Sequence, residues 1–179
     1  MKDRTSIAPL EIFNAENCQG VLDHLRVLGI SNEAIAKAGG VVWANGHFSG
    51  RYFEPDPTGQ RVMALSISRG NRIIEIVAFD KAHFGSLYGD IAFALGEEHL
   101  INPPVFSDPI NIHPHPIQWL RNHCDGIVIL RHQDVWFQLA NYENLSCENV
   151  AHGRELERLL KPPPPRAKIL VRQSKQVAA

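Results

Sequence analysis

The chain has 179 residues, 44% hydrophobic and 21% charged, which is enough apolar content for one real core and too much for a disordered segment. Its formal charge of -1 hides an asymmetry: residues 1–160 hold thirteen bases against nineteen acids, whereas residues 161–179 hold five bases and no acid. A body this acidic repels phosphate unless a local patch overrides it.

Asn14 is placed to cap a helix whose Cys18, Val21, Leu22, Leu25 and Leu28 fall on one stripe, with Gly29 as its stop. Ser31 caps a second, shorter helix; Ile30 and Ile35 sit at staple positions, and Gly39-Gly40 ends it. The period then turns strand-like. Val41–Ala44, the Asn45-Gly46 dipeptide and His47–Phe53 predict a tight hairpin, because Asn and Gly best tolerate positive φ. Asp56-Pro57-Thr58-Gly59 leads into a strand over Arg61–Ile67, and Arg69-Gly70-Asn71 reverses the chain into Arg72–Phe79. His83–Tyr88, Gly89-Asp90 and Ile91–Leu95 read as one more hairpin, which Gly85 weakens.

Five prolines between Asn102 and Ile117 predict an irregular crossing. Beyond it the chain alternates: a helix over Ile117–Asn122, a strand over Gly126–Leu130, a helix over Asp134–Ala140 and a strand over Leu145–Cys147. A helix over Gly153–Leu160, a polyproline spacer at Pro162–Pro165 and a strand over Lys168–Val171 follow. Such alternation predicts a βαβ-like layer with parallel pairing. The fold class expected is α+β: two N-terminal helices, a central antiparallel meander and a C-terminal βαβ-like layer. Residues 1–160 form one globular domain, and 161–179 form a Pro-rich basic segment.

No apolar run reaches the roughly 18–20 residues of a membrane helix, and Met1–Ser6 leads into no signal core, so a cytoplasmic chain with no membrane partner is expected. Cys18, Cys124 and Cys147 lack any C-x-x-C spacing and read as free thiols. His113, His115, His123 and Cys124 are the densest group of candidate metal ligands, but no acidic partner stands at fixed spacing, so no metal is assigned. Leu25, Gly29 and Ile35 have helix-turn-helix spacing, yet the second helix offers only Lys37 against Glu33, which suits packing better than groove reading. No G-x-S-x-G elbow and no G-x-x-x-x-G-K loop is present. Trp43, Trp119, Trp136, Phe48, Tyr52, Phe53 and Phe79 could stack bases or fill core.

Leu145-Ser146-Cys147-Glu148-Asn149-Val150-Ala151-His152-Gly153 is an apolar strand, an acid, and a glycine opening a helix. It resembles the second motif of the toprim domain of phage and plasmid primases and topoisomerases. Glu148 stands at the first aspartate of that motif and Gly153 at its glycine, while Val150 replaces the second aspartate and offers magnesium no oxygen. The family's earlier glutamate is matched by Glu75 in Ile73-Ile74-Glu75-Ile76. The resemblance implies a degenerate, metal-free relative acting as an accessory factor of a nucleic-acid machine.

The leading expectation is accordingly a non-enzymatic binding or accessory protein with a protein partner and no cofactor. A toprim-like enzyme in which Glu75, Asp80 and Glu148 hold Mg²⁺ is the alternative. A third reading is nucleic-acid or partner binding through Lys161, Arg166, Lys168, Arg172 and Lys175. Oligomeric state is open, with an exposed edge of the meander as the place for a dimer to pair.

Overall fold

The computed structural model describes residues 18–87, 91–101 and 109–162. Helices α1 (Cys18–Val27) and α2 (Asn32–Lys37) form where the stripe and caps place them. Val21 and Leu25 are fully buried, Ile30 and Ile35 nearly so, and the Ser31 Oγ accepts from the Ala34 N–H at 3.1 Å. The expected cap Asn14 lies outside the described residues.

The meander is a closed five-stranded barrel. Strands β1 (Val42–Ser49), β2 (Tyr52–Pro55), β3 (Gln60–Arg69), β4 (Arg72–Phe79) and β5 (Phe84–Ser86) run in the order β1-β2-β5-β4-β3, and β1 pairs with β3 to close the ring. Asn45-Gly46 is not a turn, which corrects the hairpin expected there. β1 runs straight through the dipeptide, pairing β3 over Val42–Gly46 and β2 over Gly46–Ser49. The turn falls at Gly50-Arg51, where Gly50 has φ +63° and Ser49 faces Tyr52. Gly46 is needed for backbone approach instead: a Cβ there would lie 2.3 Å from the Glu54 carbonyl oxygen and 2.6 Å from the Phe53 ring.

The hairpin expected over His83–Leu95 is also corrected. β5 lies antiparallel to β4 and pairs in parallel with β2 at Tyr52↔Ser86, sealing the barrel, while Ala94 and Leu95 join a different sheet. Gly85 makes that seal possible, because a Cβ there would meet the Arg51 and Tyr52 backbone at 2.9 Å. Closure leaves the meander without the open edge expected for dimer pairing; the sheet edges lie in the second sheet, at β6 (Ala94–Leu95) and β9 (Leu145–Cys147).

That second sheet has the order β6-β8-β7-β9, with β7 (Ile110–His113) and β8 (Ile127–Ile129) at its centre. β7 pairs in parallel with both β8 and β9, as the alternation predicts, and β6 is antiparallel to β8. A central strand inside the proline-rich crossing is a further correction: Pro109 and Pro114 lie immediately outside β7, so no ladder N–H is lost. Helices α3 (Glu98–Ile101), α4 (Pro116–Arg121), α5 (Val135–Gln138) and α6 (Val150–Leu159) complete the layer. α6 starts three residues before the expected Gly153, capped by the Asn149 side chain, which accepts from His152 N–H at 2.9 Å. The Lys168–Val171 strand lies outside the described residues.

Three apolar clusters hold this α+β arrangement. Ala44, Phe53, Val62, Ala64, Ile76 and Ala78 form one on β1–β4. Their neighbours Met63, Leu65, Val77 and Phe79 pack with α1, α2, α4 and Val128 of β8, which joins barrel and sheet in one core. Ile110, Ile112, Ile127 and Ile129 pack with α5 and Leu156 of α6. The second sheet therefore carries α4 on one face and α5 and α6 on the other. No helix among the described residues is long and apolar enough to cross a membrane.

Candidate functional site

The chain leaves β7 through α4 to reach β8 on one side, then returns to β9 on the other side of β7. Connections that diverge from adjacent parallel strands open a crevice at the strands' carboxyl ends, where open α/β sheets hold ligands. A cleft of about 100 Å³ lies there. His113 and Pro114 follow β7, Ile129 and His132 follow β8, His152, Glu155, Leu156 and Leu159 come from α6, and the barrel contributes Arg51 and Phe84. A second recess of about 280 Å³, lined by Ser49, Tyr52, Ser86 and Arg131 among others, shares Arg51 and His132 with it.

Arg51 Nη2 lies 2.8 Å from His132 Nδ1. A guanidinium can only donate, so Nδ1 accepts and the remaining imidazole proton sits on Nε2. His132 is neutral: burial and then the Arg51 charge push its pKa down to about 4, with Glu155 opposing. Burial also lowers Arg51, against the pull of Glu155, and lowers His152 against Glu155 and Glu148. His113 Nε2 donates to the Asp125 carbonyl at 2.7 Å. His152 Nδ1 is buried and has no hydrogen-bond partner among the described residues. Arg131 lies beside the cleft in an ion pair with Asp134.

Chemically the cleft offers donors. Arg51 has no carboxylate within ion-pair distance among the described residues, so most of its fork and the Nε2–H of His132 stay available. The thiols are poorly suited to nucleophilic work, since burial pushes Cys124 up to about 11 and also raises Cys147.

Of the described residues the sequence singles out as candidate site residues, only His113 lines this cleft. Glu75 is buried on β4, its Oε1 accepting from the Ile76 N–H. Asp80 closes the following turn by accepting from the Ala82 and His83 N–H groups at 2.7 Å; burial would raise its pKa, but these hydrogen bonds prevail and lower it. Glu148 follows β9 in the other sheet and is exposed. Among the described residues no group of three or more His, Cys, Asp or Glu is placed to hold a metal.

His115 caps α4, its Nδ1 accepting from Ile117 N–H while Nε2 faces the His83 carbonyl, edge-on to Phe79 and Phe84. His123 and Cys124 take left-handed backbone after α4, and the buried Cys124 thiol donates to the Ala34 carbonyl at 3.3 Å. α2 is engaged in packing, with Lys37 on the His123 carbonyl. Trp119, Phe53 and Phe79 fill core, and Trp43 lies between His24 and Arg61. Lys161 is exposed after α6, while Arg166, Lys168, Arg172 and Lys175 lie outside the described residues.

Sequence reasoning passes over Arg51, His132, His152 and Glu155. The signal that finds them is positional: His132 is the third residue after β8, and His152 and Glu155 follow the Asn149 cap of the helix after β9. No family model, curated protein or solved structure matches the chain.

Proposed function

We propose that the chain is a non-enzymatic binding protein, an accessory to nucleic-acid handling, that takes its ligand in the cleft at the carboxyl ends of β7, β8 and β9. The observation that carries this reading is the Arg51–His132 hydrogen bond at 2.8 Å. An arginine held by a carboxylate has its charge compensated; one held by a neutral imidazole keeps its charge for an incoming anion. β9 and the strand beside it are parallel, and Glu148 follows β9, but β7 ends in His113 and α6 opens with Val150. Of the acids the toprim resemblance matches, Glu148 is exposed after β9 and Glu75 is buried on β4 of the barrel, which favours binding over magnesium chemistry. The basic segment after Leu160 adds phosphate contacts and makes the affinity salt-dependent.

Fluorescence anisotropy with single- and double-stranded DNA and RNA at two salt concentrations tests this, comparing the full chain with Arg51→Gln and with a chain ending at Leu160. Salt-sensitive binding that Arg51→Gln weakens is expected. Binding indifferent to Arg51, or no binding at low salt, refutes it. Magnesium-dependent nicking lost in Glu148→Ala would replace it with the enzymatic reading.

A further inference from the structure

We propose that the cleft is a site for one phosphomonoester group, the phosphate at the end of a nucleic-acid strand. The proposal rests on the binding reading above and deepens it by naming the group bound.

Size comes first. A cleft of about 100 Å³ is well below the ~300–1,000 Å³ of sites that enclose whole small molecules. It accommodates a phosphate and leaves a base or sugar outside, where the adjoining recess of about 280 Å³ shares the same two side chains. Donor chemistry comes second. The Arg51 fork and the Nε2–H of His132 point the cleft toward an oxyanion. His152 adds a buried Nδ1 with no hydrogen-bond partner among the described residues, a group that is costly to leave unsatisfied.

Charge decides between an end and a tract. Residues 1–160 carry thirteen bases against nineteen acids, so a groove tracking many internal phosphates faces net repulsion. A single dianionic end that reaches one arginine does not need such a groove, and it offers more charge at one point than any internal phosphodiester. Among the described residues Glu155 is the one carboxylate in the lining, and it opposes an anion there. That gives the site a signature that a purely structural role for these residues would not show: neutralising Glu155 should tighten binding.

The experiment uses the full chain and fluorescein-labelled oligonucleotides of one sequence carrying 5′-phosphate, 3′-phosphate or only hydroxyl ends, with inorganic phosphate and a nucleoside monophosphate as competitors. One phosphorylated end should bind at least about tenfold tighter than the hydroxyl form, as expected for a charge-assisted pair. Arg51→Gln should bring the two within about twofold, Arg51→Lys should retain part of the difference, and Glu155→Gln should enlarge it. Circular dichroism of each variant separates lost binding from lost folding. Equal affinity for phosphorylated and hydroxyl ends overturns the phosphate site while the binding reading stands. Arg51-dependent binding of inorganic phosphate and the monophosphate without any oligonucleotide binding supports the phosphate chemistry and overturns the nucleic-acid source. Binding of none of these probes overturns both.

Discussion

Replacing His132 by asparagine should flatten the acid side of the stability profile. The His132 pKa falls from the usual 6.5 to about 4 in the folded chain, chiefly by burial and then by the Arg51 charge. The unfolded chain therefore takes up the proton first. The contribution is fully present above about pH 6.5 and is lost as pH falls toward 4. At ~1.4 kcal/mol per tenfold change in proton affinity the ceiling is about 3 kcal/mol. The ring is only partly buried, and solvent screening reduces this to about 1–2 kcal/mol. Asparagine keeps an acceptor for Arg51 and removes the titration. Urea unfolding between pH 7.5 and 4.5 should show the native chain losing about 1–2 kcal/mol more than His132→Asn, with unchanged m-values. Parallel losses in the two proteins would refute the assignment of a neutral His132 held by Arg51.

Gly46→Ala places a methyl group 2.3 Å from the Glu54 carbonyl oxygen, so thermal unfolding should show a loss of about 2 kcal/mol or more, roughly 5 °C in Tm. Ser31→Ala removes the cap on Ala34 N–H and should cost about 1 kcal/mol by denaturant titration. Cys124 is buried with its pKa pushed up to about 11, so iodoacetamide at pH 8 followed by peptide mass spectrometry should leave it unmodified until denaturant is added.

The helices and most strands are legible in the sequence because their signals are local. Ser31 caps what it should, Gly70-Asn71 turns β3 into β4, and the alternation after Pro116 yields parallel pairs. Barrel closure is not local. It depends on Gly85 meeting the backbone of Arg51 and Tyr52, more than thirty residues earlier, and a glycine that reads as weakening a strand is what lets the ring seal. Asn45-Gly46 misleads for a related reason: turn chemistry and close backbone approach both select glycine, and only the pairing of β1 with strands on both sides distinguishes them. β7 hides because prolines flank it without entering it. The cleft is the least legible part, since Arg51 and His132 are 81 residues apart and meet only when barrel and sheet share a core. Of the four candidate metal ligands read from sequence, His115 and Cys124 are engaged with backbone groups, and His113 reaches the cleft through its strand end.

The most direct measurement is a titration of the full chain, with nitrogen-15-labelled histidine, by a 5′-phosphorylated single-stranded oligonucleotide, following the imidazole resonances. His132 and His152 should shift first and together, with His113 beside them, while His24 and His47 on the barrel side stay in place. Shifts confined to histidines outside the cleft, or none at saturating oligonucleotide, would contradict the assignment of the strand-end cleft as the binding site.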